Sequence, residues 1–111
     1  MLKLYWEDIN NNKYHIANLD KKDSVFMLDI LEDNLKKATH NGCMGISGIN
    51  LLANHHESDK LFAFFANRIP SRDYRDIDEF LKKYQLEDYD EMEILKKTSG
   101  RLLTDRYYIE A

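Results

Sequence analysis

His40, Cys43, His55 and His56 are the side chains of this chain most suited to holding a divalent metal, through imidazole nitrogen and thiolate sulfur. Zinc sites usually draw such ligands in spaced pairs, C-x-x-C or H-x-x-x-H, so that one turn or helix face aims two at the same ion. No such pair stands here, and the adjacent His55 and His56 sit in a polar stretch where they read as solvent-facing. No metal or other cofactor is expected. Cys43 with a histidine would make a nucleophile and base, yet a lone cysteine between Gly42 and Met44 reads as a buried apolar side chain. Ser47 lies in Gly-Ile-Ser-Gly-Ile, where Ile49 occupies the position a nucleophile elbow gives to glycine. Gly42, Gly45 and Gly48 recur every third residue, which is neither a dinucleotide fingerprint nor a phosphate loop. The chain is expected not to be an enzyme.

Two charged groups remain. Glu87, Asp88, Asp90, Glu91 and Glu93 form the densest acidic run, and acids gather in this way at the start of a helix, where the dipole favours them. Arg68, Arg72 and Arg75 surround the sole proline, Pro70, and offer themselves to a phosphate or an acidic partner surface. Asp73, Asp76 and Asp78 are interleaved with them and compete as local partners.

The elements that position these groups follow from periodicity. Leu2, Leu4 and Trp6 alternate with Lys3 and Tyr5, giving a half-buried strand. Asn10, Asn11 and Asn12 suit a turn, and Tyr14 to Leu19 return as the second strand of a hairpin. Ser24 to Ile30 are apolar on both faces and belong inside a sheet. Leu31 to His40 repeat Leu31, Leu35 and Ala38 at helical spacing, ended by Asn41-Gly42. A short strand is predicted over Cys43 to Ile46, then a loop to Glu57. Ser58 is placed as the cap of an aromatic helix that ends before Pro70, and Ser71 as the cap of another, carrying Tyr74, Ile77, Leu81 and Tyr84. Glu91 to Thr98 form a last helix with Gly100 as its left-handed cap, and Leu102 to Ile109 a final strand. The sum is one α+β domain over residues 1–111: a small, mainly antiparallel sheet with an N-terminal hairpin, covered by three to four helices, with a C-terminal strand. Phe62, Phe64 and Phe65 read as core rather than as a ligand groove.

Composition bounds the partners. The 111 residues are 43% apolar and 12% aromatic, with a net charge of −4. A domain of this length buries roughly two-thirds of its unfolded surface and needs no covalent staples. The acidic balance argues against autonomous binding to duplex nucleic acid. A single cysteine fits a reducing compartment. Glu7 and Asp8 arrive before any long apolar run, unlike a signal peptide, and no stretch is long enough to cross a membrane. A cytoplasmic protein is expected.

The run Ser58-Asp59-Lys60-Leu61-Phe62-Ala63-Phe64-Phe65-Ala66-Asn67-Arg68-Ile69-Pro70 resembles the Ser-Asp-x-x-Phe-x-Phe-Phe-x-Asn-x-x-Pro pattern of the HipA N-terminal subdomain. The similarity continues through Arg75-Asp76-Ile77, Lys83-Tyr84, Met92-Glu93-Ile94-Leu95 and Gly100-Arg101. It covers nearly the whole chain, with residues 58–70 its specific part. HipA proteins are serine/threonine kinases whose small N-terminal subdomain packs on the kinase core. In three-component HipBST systems that subdomain resembles a separate protein, HipS, which inhibits the shortened kinase HipT. Kinase phosphate-loop and catalytic-loop motifs are missing here. The resemblance therefore implies a non-catalytic HipS-like antitoxin or regulatory partner that docks on a HipT-like kinase, with a HipB-like DNA-binding protein as a further component. Where the family often carries a Gly-Ala step, Leu102-Leu103-Thr104 stand here. The alternative is a binding module of mobile-element or phage type that inhibits a host defence protein. Asn54, His55, His56, Glu57, Arg68, Arg72 and Arg75 are the expected partner contacts, because exposed connections beside rigid elements are where binding residues commonly sit.

Overall fold

The computed structural model describes Met1–Ala111 as one five-stranded antiparallel sheet with four helices. The strands are β1 (Leu2–Glu7), β2 (Lys13–Lys22), β3 (Val25–Ile30), β4 (His55–Ser58) and β5 (Tyr107–Glu110), in the order β4-β3-β2-β1-β5. The helices are α1 (Glu32–His40), α2 (Ala63–Ala66), α3 (Ile77–Lys83) and α4 (Glu91–Thr98). No helix is long and apolar enough to cross a membrane.

The expected hairpin is present, and Asp8 organises it. Its side chain is almost fully buried and accepts from the N–H groups of Asn10 and Asn12, the Asn12 amide and the Tyr14 hydroxyl. These bonds lower its pKa below the ordinary carboxylate value, although burial, the largest single influence, pushes the other way. Between Leu4↔Ala17 and Tyr5↔His15 the register slips by a bulge that leaves Ile16 unpaired. The Ile16 carbonyl then accepts from Leu31 N–H (2.9 Å), which anchors the start of α1. Asp23 and Ser24, both with positive φ, make the two-residue turn from β2 into β3.

Alternation sends Leu2, Leu4, Trp6, Leu19, Phe26, Leu28, Ile30 and Ile109 to one side, where they meet Leu35, Ala38, Phe64, Phe65 and Leu95. Each Leu, Ile or Phe of this set contributes about 1.5–3 kcal/mol by leaving water. The opposite face carries Tyr108, Tyr5 and His15 as a stack across β5, β1 and β2, with ring centroids 5.3 and 5.1 Å apart. Arg101 caps the Tyr108 end at 4.2 Å.

Several expectations are corrected. Cys43–Ile46 is not a strand: Gly42 and Gly45 have positive φ, and the segment buries Cys43 and Ile46 without joining a ladder. His55–Ser58, expected as the end of a loop, pairs with β3. Ser58 therefore ends a strand instead of capping a helix, and its Oγ accepts from Lys60 N–H within a turn. The aromatic helix shrinks to the single turn of α2, α3 begins at Ile77 without a side-chain cap, and β5 is confined to Tyr107–Glu110. By contrast α4 spans Glu91–Thr98 as expected, capped by Asp90 accepting from Glu93 N–H (3.2 Å). Ser99 takes the left-handed C-cap position, and Gly100, expected as that cap, is left-handed as well.

Candidate docking surfaces

Two surface features stand out, a cleft and a sheet edge. The cleft, of about 560 Å³, lies between the Gly42–Gly48 connection, α2 and the segment leading into β5. Phe64, Arg68 and Tyr107 line it from below, and Met44 and Leu102 stand at its lips. Met44 is 94% exposed, a placement that burial preference does not explain. The Tyr107 hydroxyl donates to the Gly45 carbonyl. Burial first, and the neighbouring Cys43 thiol second, raise its pKa far above the usual tyrosine range, so it stays a neutral donor.

Arg68 is not the surface contact its sequence position suggested. Its side chain keeps 3% of its exposure and pairs with Asp105 at 2.5 Å (Nη2 to Oδ2). Nη1 donates to the Gly100 carbonyl (3.0 Å), and the guanidinium lies 4.3 Å from the Phe64 ring centroid. The reason is topological: the turn after α2 folds against the segment between α4 and β5, and the arginine is what joins them. Arg72 and Arg75 lie apart from it. Arg72 stacks on Tyr89 at 4.8 Å, while Arg75 is exposed beside Asp76.

The remaining expected contacts gather at β4. Asn54 donates through Nδ2 to Glu32 (3.2 Å), and His56 donates through Nε2 to the Ala53 carbonyl (2.9 Å). His55 lies between two carboxylates, with Nδ1 2.6 Å from Asp29 and Nε2 2.7 Å from Glu57. Both ring nitrogens face acceptors, so the imidazolium is the form that satisfies both. Hydrogen bonding to Asp29 first, then to Glu57, accordingly raises the pKa of His55. Asp29, the one charged residue of β3, was not singled out, although its outward parity within Val25–Ile30 signals exposure. Met44, Leu102 and Asp105 were also missed, and nothing local in the sequence marks them.

The quartet His40, Cys43, His55 and His56 is not brought together. Cys43 is buried beside Tyr107, His40 ends α1, and His55 is engaged as above. Residues of the acidic run serve α4, with Asp90 as its cap and Glu91 and Glu93 in its first turn.

Comparison with protein-family models, curated proteins and solved structures returned no match.

Proposed function

We propose that this chain is a non-catalytic docking protein of the cytoplasm, a regulatory partner of a HipT-like serine/threonine kinase in the manner of HipS. The observation that carries the docking reading is the lip of the cleft. Met44 and Leu102 expose apolar side chains on either side of a concave surface, while the sheet's own apolar face is covered by helices. Exposed apolar side chains around a hollow suit the central, water-excluding part of a protein interface. Arg68 and Asp105 hold the floor rigid, so little order has to be acquired on binding. The kinase as occupant rests on the likeness of residues 58–70 to the HipA pattern, and the lone buried Cys43 fits a reducing compartment.

Co-expression with a kinase encoded beside it tests the reading, followed by affinity capture through a tag on this chain. A stoichiometric complex is expected, and Met44→Asp with Leu102→Asp should weaken it at least about tenfold while the fold is kept. A neighbouring kinase that never co-purifies would overturn it.

A further inference from the structure

The two edges of the sheet are finished differently. At β5, Glu7 N–H donates to the Arg106 carbonyl (3.0 Å), so strand alternation turns the N–H groups of Tyr107 and Ile109 outward. Both find partners inside the chain, Tyr107 N–H on Asp105 Oδ1 (3.2 Å) and Ile109 N–H on the Ser99 carbonyl (2.8 Å). The outward N–H groups of that edge are thus taken up within the chain. At β4, Ile30 N–H donates to the Asn54 carbonyl (2.7 Å), and the same alternation turns the N–H and C=O groups of His55 and Glu57 outward. No other part of the chain hydrogen-bonds them. Open edges are normally blunted, because they template pairing with another chain.

The surroundings say what would pair there. A strand added beside β4 would alternate its side chains between the two faces of the sheet. On the helix-free face it would run past Glu57, Asp29 and His55, where two carboxylates face one imidazole. On the helix side it would reach a hollow of about 440 Å³ beside Asn54, whose apolar wall is Ile30, Leu35 and Leu51 and whose polar rim includes Glu32, Lys36 and His40. One face is acidic and the other offers an apolar seat.

We propose that β4 binds an extended segment of a partner protein by strand addition, and that this segment alternates basic and apolar residues. Its backbone pairs with the outward groups of His55 and Glu57, which supplies affinity. Its basic side chains lie over Asp29 and Glu57, and an apolar one enters the hollow beside Leu51, which supplies selectivity. The site is separate from the Met44–Leu102 cleft and requires no kinase, so the two readings fail separately.

The test titrates the full chain with a synthetic peptide alternating Val and Lys, followed by amide hydrogen exchange and by affinity. At saturation the His55 and Glu57 amides should exchange at least about tenfold more slowly. Glu57→Pro removes an outward N–H without removing a bond to β3, so the fold should persist and affinity should fall at least about tenfold. Glu57→Gln keeps the N–H and loses the charge, and should bind several-fold more weakly with amide protection retained. A peptide alternating Val and Glu should bind more weakly than the Val-Lys peptide. Unchanged exchange at His55 and Glu57 of the unsubstituted protein would overturn the proposal, whether or not the proline variant folds. So would equal binding by Glu57→Pro, or a dimer of this chain abolished by that substitution, which would give the edge to a second copy.

Discussion

Arg68 and Asp105 form an ion pair at the floor of the cleft, and with the Gly100 carbonyl it ties the turn after α2 to the segment entering β5. A local reading of Arg68-Ile-Pro70 sees an exposed cationic turn, whereas the folded chain uses the same arginine as an internal brace.

Asp105→Ala is expected to destabilise the fold by roughly 3 kcal/mol, because it leaves a buried guanidinium without its counter-charge. The partial exposure of Asp105 keeps the loss at the low end of the usual range. The double variant Arg68→Met with Asp105→Leu should lose less than Asp105→Ala alone, since no charge then stays buried. Urea unfolding of the variants measures this, and equal or greater loss in the double variant would show that the guanidinium matters through packing on Phe64 and Tyr107.

His55 should make the stability at β4 depend on pH. Its folded pKa is raised by Asp29 and Glu57, so the contribution is complete below the unfolded histidine value of about 6.5. It fades as pH rises through the higher folded value. The group is half-exposed, so the effect on global stability is small and is best read locally. An NMR titration of His55 should show its midpoint fall towards the ordinary value in Asp29→Asn, and a midpoint that does not move would remove Asp29 as the main cause.

Asp8 gives the opposite sign. Its depressed pKa makes its contribution complete above the unfolded carboxylate value of about 3.9, and lost as pH falls through the lower folded value. Asp8→Ala is expected to lower Tm at neutral pH and to flatten the acid side of the stability curve. The Asn10 and Asn12 amides should exchange faster in that variant, because their acceptor is gone.

The hairpin, β3, α1 and α4 were legible because each carries its own signal. Leu2, Leu4 and Trp6 alternate, Val25 to Leu28 are continuously apolar, and acids precede Glu91–Thr98 while lysines end it. The region from Cys43 to Ile77 was misread because its signals serve more than one geometry. Ser58 hydrogen-bonds backbone equally well at a helix start or in the turn after a strand. Phe64 and Phe65 are buried as expected, but one helical turn suffices to place them. β4 has no apolar alternation, since as an edge strand it is held by its ladder to β3 rather than by burial. The candidate surfaces divide in the same way: Asn54–Glu57 stand out in the sequence as an exposed connection beside rigid elements, while the cleft depends on long-range pairing that no local pattern encodes.

Gly100 gives the most direct check on how tightly that long-range pairing is packed. Its φ is +56°, and a Cβ there would lie 2.7 Å from Ile109 Cδ1 and 3.3 Å from Leu95 Cδ2. Strain in the left-handed region and overpacking against fully buried side chains act together, so Gly100→Ala is expected to destabilise by roughly 2 kcal/mol. Ile109→Val shortens the side chain that meets the new methyl. The double variant should therefore lose less than the sum of the two single changes, because the second relieves the clash made by the first. Thermal unfolding of the three variants distinguishes the causes: additive losses would assign the cost of Gly100→Ala to its backbone conformation alone, and recovery in the double variant would assign it to the contact with Ile109.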